Sequence, residues 1–284
     1  MIQHITPDSA MRAALAKSPE AHKYSHGHAL VLAGGPGKGG AARLAARAAL
    51  RVGAGLVTVL APQSALAENA AQLTAVMLDP LPDAFSLRGI LQDKRKNALL
   101  LGPGLGLARA QEMVPAALWG QRATVLDADA LTAFADDPER LFNHLHPACV
   151  LTPHEGEFAR LFPDLAEALR TGALPRPEAV RQAAARAGCT VLLKGADTLI
   201  TAPDGAIAQN GASGDQAAPW LATAGSGDVL AGIICGLLAR GFAPFDAACT
   251  GAWLHAEAAR RFGPGLIAED LPEELPAVFR ALGL

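Results

Sequence analysis

The sequence predicts an α/β fold in which a mostly parallel sheet carries helices on both faces, and three observations predict it. Short apolar runs recur at residues 29–33, 55–60, 98–101, 123–126, 148–151 and 190–193. They lack polar alternation, as strands buried on both faces do. Helical segments separate them, the pattern of crossover connections between parallel strands. Turns of small or charged residues follow most of the runs, where an open α/β sheet places its ligands.

Residues 1–23 read as a polar N-terminal extension, helical over 9–17, with Pro19 closing that piece. Over 41–52, Leu44, Ala45, Ala48 and Val52 share one helical face, while Arg43, Arg47 and Arg51 stand four apart on another. That arginine row reads as a solvated face. Beyond Leu193 the pattern changes to a late β-hairpin, 198–201 and 206–209, turning at Asp204-Gly205. A buried helix follows through Leu238, then helices over 245–262 and 271–282, with Asp270 as N-cap and Pro272 near the first helical position. No linker or repeat divides residues 24–284, which read as a single domain.

Bulk composition limits the function classes. A net charge of −3 supplies no field for nucleic acid or an anionic membrane, so any phosphate must be held locally. Cys149, Cys189, Cys235 and Cys249 form no C-x-x-C pair and no zinc-like spacing; they read as buried free thiols of a reducing compartment. The N-terminus shows no basic region followed by an apolar one, and the run 229–239 is too short for a bilayer. A cytoplasmic location is expected.

Ala222-Thr223-Ala224-Gly225-Ser226-Gly227-Asp228 carries the strongest chemical signal. Helix-opening N–H groups lack intrahelical partners and lie at the positive end of the dipole, which suits an anion, and glycines permit close approach. An ordinary helix start with Asp228 as a first-turn acid is the plain alternative. An aspartate beside a bound anion makes sense where it meets a hydroxyl attacking a phosphoryl group held by the same turn.

The other turns add to it. Gly34-Gly35-Pro36-Gly37-Lys38-Gly39-Gly40 contains G-x-G-x-x-G, but the next run ends in Ala61-Pro62 with no acid for a ribose, so the dinucleotide fingerprint fails. Gly102-Pro103-Gly104-Leu105-Gly106 reads as a second ligand-facing turn. In Asp127-Ala128-Asp129, Asp129 either caps the next helix or meets a ligand, and Asp127 is the better candidate for a metal or substrate contact. Glu157, in the first turn after Thr152-Pro153-His154, fits Mg²⁺ through water. Lys194, at a strand end, suits a nucleotide phosphate.

These motifs, with Ser25-His26-Gly27-His28, Val52-Gly53-Ala54-Gly55 and Gly156-Glu157-Phe158, follow one another in an order that resembles the ADP/ATP-dependent NAD(P)H-hydrate dehydratases. The resemblance runs from about residue 24 onward and implies a ribokinase-like three-layer α/β/α fold. It implies an enzyme that repairs hydrated NADHX and NADPHX by phosphorylating the hydroxyl and eliminating phosphate, ADP going to AMP. Implied substrate contacts are Ala41, Ala42, Gly104, His154 and Asp228, with Asp228 catalytic. Implied nucleotide contacts are Lys194, Gly195, Ala196, Asp197 and Thr198, with Gly225, Ser226 and Gly227. Mg²⁺, a homotetramer and an upstream epimerase that supplies the S hydrate are implied as well. Where some relatives carry Pro, this chain has Glu155, and Lys38 stands in an altered turn. A kinase of the same fold acting on a vitamin-precursor alcohol is the nearest alternative. A nucleotide-binding regulatory module is another, disfavoured by the carboxylate of Asp228.

Overall fold

The computed structural model describes residues 2–211 and 216–284. Its strands are β1 (Gln3–His4), β2 (His28–Leu32), β3 (Leu56–Ala61), β4 (Met77–Pro80), β5 (Lys96–Leu101), β6 (Ala123–Leu126), β7 (Cys149–Leu151), β8 (Thr190–Leu193), β9 (Thr198–Thr201) and β10 (Ile207–Asn210). They form one ten-stranded sheet in the order β1-β10-β9-β8-β7-β6-β5-β2-β3-β4. Only β9 runs antiparallel to its neighbours, through the late hairpin. That hairpin turns where expected, with Gly205 at φ +90° and the Ala202 N–H donating to the Ala206 carbonyl at 2.9 Å.

Every residue of β2 is buried, and alternate residues enter different cores. Ala29 and Val31 pack with α2 (Gly40–Arg51), α11 (Ser226–Ala239), α12 (Pro244–Phe262) and α13 (Asp270–Ala281). Leu30 and Leu32 pack on the opposite face with α5 (Leu107–Trp119), α8 (Glu155–Leu161) and α10 (Arg176–Ala187). The chain is thus a three-layer α/β/α sandwich. The α2–α11 contact is close: a Cβ on Gly232 would lie 2.2 Å from the Ala45 carbonyl oxygen, so only glycine lets these backbones approach.

The structure corrects three expectations. β1 and β4 add strands at the two edges, where short, partly exposed segments leave no continuous apolar run to read. The first helix is α1 (Ser9–Leu15), capped by Asp8, and stops short of Lys17. Asp270 is not an N-cap; it lies inside α13, and its carboxylate accepts from the Ile267 N–H at 2.9 Å. The arginine row is solvated as expected at Arg47 and Arg51, and it carries surface partners as well. Arg47 donates to Glu273 of α13 at 2.5 Å, Arg51 also donates to Glu273, and Arg43 donates to Asn69 at 3.3 Å.

Candidate functional site

Strand order reverses around β2, whose neighbours are β3 and β5, and the loops after β2 and β5 flank that switch point. The two loops touch: a Cβ on Gly34 would stand 1.9 Å from the Gly104 carbonyl oxygen. Gly104 itself takes φ +64°, and a Cβ there would lie 3.4 Å from that of Ala41. The structure therefore brings Gly104 and Ala41 together at the mouth of the sheet. Ala42, by contrast, is fully buried against the core, and its side chain offers a ligand no surface.

Next along the edge, Asp127 and Asp129 separate. Between them Ala128 adopts φ 47°, ψ −117°, a conformation that costs an L-residue of order 1–3 kcal/mol. On one side the Asp129 carboxylate accepts from the Gly106 N–H at 2.8 Å, pinning the loop after β5. Asp129 thus ties loop to loop instead of capping α6 (Asp129–Thr132), because the approaching Gly106 N–H takes its oxygen. On the other side, buried Asp127 accepts from Lys194 Nζ at 2.7 Å.

Lys194 is the centre of this cluster. Its backbone N–H donates to the Pro153 carbonyl at 2.9 Å, and its Nζ lies 3.9 Å from Glu157 Oε2. A Cβ on Gly227 would sit 3.6 Å from the same Nζ, which sets the ammonium beside the start of α11. The lysine and the glycine turn, distant in sequence, meet in the fold. Gly195 and Ala196 are exposed on the turn that follows, while Asp197 and Thr198 are partly covered, and Thr198 Oγ1 donates to the Gly195 carbonyl at 3.1 Å.

His154 is the N-cap of α8. Its Nδ1 accepts from the N–H groups of Gly156 at 2.9 Å and Glu157 at 3.4 Å, and the Glu157 carboxylate returns a bond to the His154 N–H at 2.9 Å. This reciprocal capping box fixes the tautomer: a ring nitrogen that accepts carries no proton, so Nε2 holds it. The ring remains about half exposed, with its Nε2 3.5 Å from Glu157 Oε1. Glu157, expected as a metal contact, is buried and already serves this cap.

Gly225 opens α11 at φ +88°, so Ser226, Gly227 and Asp228 form its first turn. Ser226 Oγ donates to the Leu221 carbonyl at 2.7 Å, which secures the loop behind the turn. Burial raises the Asp228 carboxyl from 3.8 to about 6; the negative charge of Asp127 adds to this and Lys194 opposes it. At neutral pH the group is ionised yet more basic than an ordinary aspartate, the condition a general base needs. Below the turn lies His255 of α12, buried and 2.9 Å from the Ser226 carbonyl oxygen. A carbonyl can only accept, so His255 Nε2 carries the proton, and burial lowers its pKa to about 4. No motif marks His255; its role comes from a helix packed under the turn.

Among the described residues, no three His, Cys, Asp or Glu side chains are gathered to hold a metal by themselves. Mg²⁺ needs only one or two protein carboxylates, with water and phosphate oxygens completing its shell. Asp127 and Glu157, two hard oxygen donors that both lie within 4 Å of the Lys194 ammonium, match that requirement in number and chemistry. All four cysteines are buried and free, as expected. No helix among the described residues is long and apolar enough to cross a membrane.

A parallel sheet between two helical layers, with a glycine-opened helix start and a basic carboxylate at its ligand edge, defines a protein of the ribokinase-like fold class. Residues 29–276 match the NAD(P)H-hydrate dehydratase family model, and the chain belongs to that family. It is 39% identical to a bifunctional NAD(P)H-hydrate repair enzyme of Gloeobacter violaceus, the alignment covering 99% of this chain and 53% of that protein. The chain thus spans about half the length of that relative. It is 40% identical to an ADP-dependent (S)-NAD(P)H-hydrate dehydratase of Neisseria meningitidis, over 86% of this chain and 80% of the other. The solved ADP/ATP-dependent NAD(P)H-hydrate dehydratase of Bacillus subtilis, co-crystallised with ATP and Mg²⁺, superposes with a TM-score of 0.80 at 26% identity, covering 99% of each chain.

Proposed function

We propose that this chain is an ADP-dependent dehydratase that repairs the S forms of NADHX and NADPHX, releasing AMP and phosphate. The observation that carries the reading is the Asp228 turn: a carboxylate held at about 6 on the first turn of α11, beside the Lys194 ammonium. The substrate hydroxyl is a poor leaving group. Asp228 orients it and accepts its proton as the oxygen attacks the terminal phosphorus of ADP. The N–H groups of Gly225, Ser226 and Gly227 hold the transferring phosphoryl group, and Lys194 balances its charge. The ring-nitrogen lone pair then expels phosphate to leave an iminium ion, which gives up a proton from the adjacent ring carbon so that the carbon–carbon double bond returns.

In the same reading, Ala41, Gly104 and His154 line the hydrated ring, His154 through Nε2–H, and Lys194 to Thr198 form the nucleotide turn. Asp127 and Glu157 are the residues that would hold Mg²⁺, directly or through water; it would screen the phosphate charge. Residues 24–284 act as one domain, to which the preceding segment contributes an edge strand and a helix. An epimerase acting upstream would convert the R hydrate, consistent with the bifunctional naming of the longer relative. A homotetramer in the cytoplasm completes the proposal.

The test is recovery of reduced-nicotinamide absorbance from purified S-form hydrate with Mg²⁺ and either ADP or ATP. Recovery with ADP that is lost in Asp228→Asn supports the reading. No recovery with either nucleotide, from folded protein, overturns it in favour of a kinase for another alcohol.

A further inference from the structure

Arg176, the first residue of α10, reaches across to the turn after β8. Its Nε and Nη2 donate to one Glu155 carboxylate oxygen at 3.1 and 2.9 Å, and its Nη1 donates to the Asp197 carbonyl at 2.5 Å. The guanidinium packs directly on Gly195, where a Cβ would come 2.8 Å from Nη2. Glu155 in turn follows His154 at the start of α8. One side chain therefore joins the turn proposed to hold the nucleotide to the turn proposed to meet the other substrate. The Lys194 N–H bond to the Pro153 carbonyl, 2.9 Å, joins the same two turns one residue further back.

We infer that Arg176 is a positioning residue that holds the 194–198 turn in its nucleotide-receiving shape, with Glu155 as its anchor. The inference rests on the assignment of that turn to adenine nucleotide. Gly195 and Ala196 are exposed and bring no side chain that could order the turn. A planar guanidinium donates to a carboxylate and a carbonyl at once, which an ammonium on a flexible stem does not reproduce. The Glu155 side chain is 61% exposed, so the ion pair alone contributes little. Its effect lies in ordering the turn before the nucleotide arrives, which lowers the entropy lost on binding.

The competing role, direct contact between Arg176 and a phosphate, predicts the opposite sign for one variant. Glu155→Ala removes the anchor and a negative charge. A positioning clasp then loosens and ADP binds about fivefold more weakly, whereas a phosphate-contacting arginine is released and ADP binds more tightly. Arg176→Lys keeps the charge but loses the fork. The clasp predicts a loss of about tenfold, equal to that of Arg176→Ala; direct contact predicts that lysine retains most of the affinity.

The measurement is the ADP dissociation constant of the full chain by titration calorimetry, with thermal unfolding confirming that each variant is folded. Turnover at saturating ADP is expected to hold within about twofold while KM for ADP rises. Tighter binding in Glu155→Ala, or unchanged binding in all three variants, overturns the inference. A wild-type chain that binds no ADP fails the nucleotide reading itself, and the two failures are therefore distinct.

Discussion

Asp228→Asn is expected to remove turnover and, at the same time, to make the protein more stable at neutral pH. Burial first, and the charge of Asp127 second, raise the carboxyl from 3.8 to about 6. Between those two values the folded protein keeps a proton that the unfolded chain has released. The native state then binds more protons, so stability falls as pH rises through this window and levels off above about 6. Each unit corresponds to about 1.4 kcal/mol, and the shift of roughly two units to at most about 3 kcal/mol. Local relaxation reduces this, and a gain of about 1–2 kcal/mol for the asparagine variant at pH 7.5 is the working expectation. Urea denaturation of both proteins at several pH values reads it directly. The difference should be smaller at pH 5, should grow to about pH 6 and should then stay constant. A variant no more stable than the wild type, or a difference independent of pH, would refute the claim that this carboxylate is held under electrostatic stress.

The acid limb of the kcat/KM profile should fall near pH 6, because the base proposed at Asp228 must be ionised to accept a proton. Asp127→Asn should move that limb to lower pH, because it removes a like charge and frees Lys194 to favour the carboxylate. Gly232→Ala should lower stability by about 3 kcal/mol or more, seen as a lower Tm, because the new methyl meets the backbone of Ala45 on a packed helix. His154→Ala should cost about 1 kcal/mol in urea denaturation through the lost cap and should raise KM for the hydrated cofactor; a change in stability alone would confine His154 to capping.

The central strands were legible because burial on both faces leaves short, uninterrupted apolar runs, and the hairpin because Asp204-Gly205 carries its own turn geometry. The edges were not. β1 and β4 take their conformation from neighbours already in place, so their own residues carry little pattern. Capping preference misled at Asp270 and left Asp129 undecided for a related reason. Each carboxylate found an N–H outside its expected position, on Gly106 in one case and Ile267 in the other, and only the fold brings those groups near. Loop motifs located Asp228, Lys194 and His154 because glycines, prolines and strand ends mark ligand-facing turns. Arg176 and His255 lie within helices whose local sequence looks like any other, and their partners arrive by tertiary packing. Ala128 gives no signal at all, since nothing about an alanine announces a backbone at φ 47°.

The two-residue strand β1 covers Ala208 and Gln209 on the outer edge of β10, and the Ile5 N–H extends that pairing to the Gln209 carbonyl at 3.0 Å. Behind it, Arg240 donates to the Leu15 carbonyl at 2.7 Å, and Leu15 is buried in the core. A recombinant fragment trimmed to residue 24, where the recognisable motifs start, would discard this cover. The hairpin would then present unpaired backbone groups to solvent, and such an edge recruits strands from other molecules. Insolubility of the trimmed protein would report on that bare edge and say nothing about the turns proposed to carry the chemistry. The part of the chain least marked by chemistry decides whether the rest can be handled in solution.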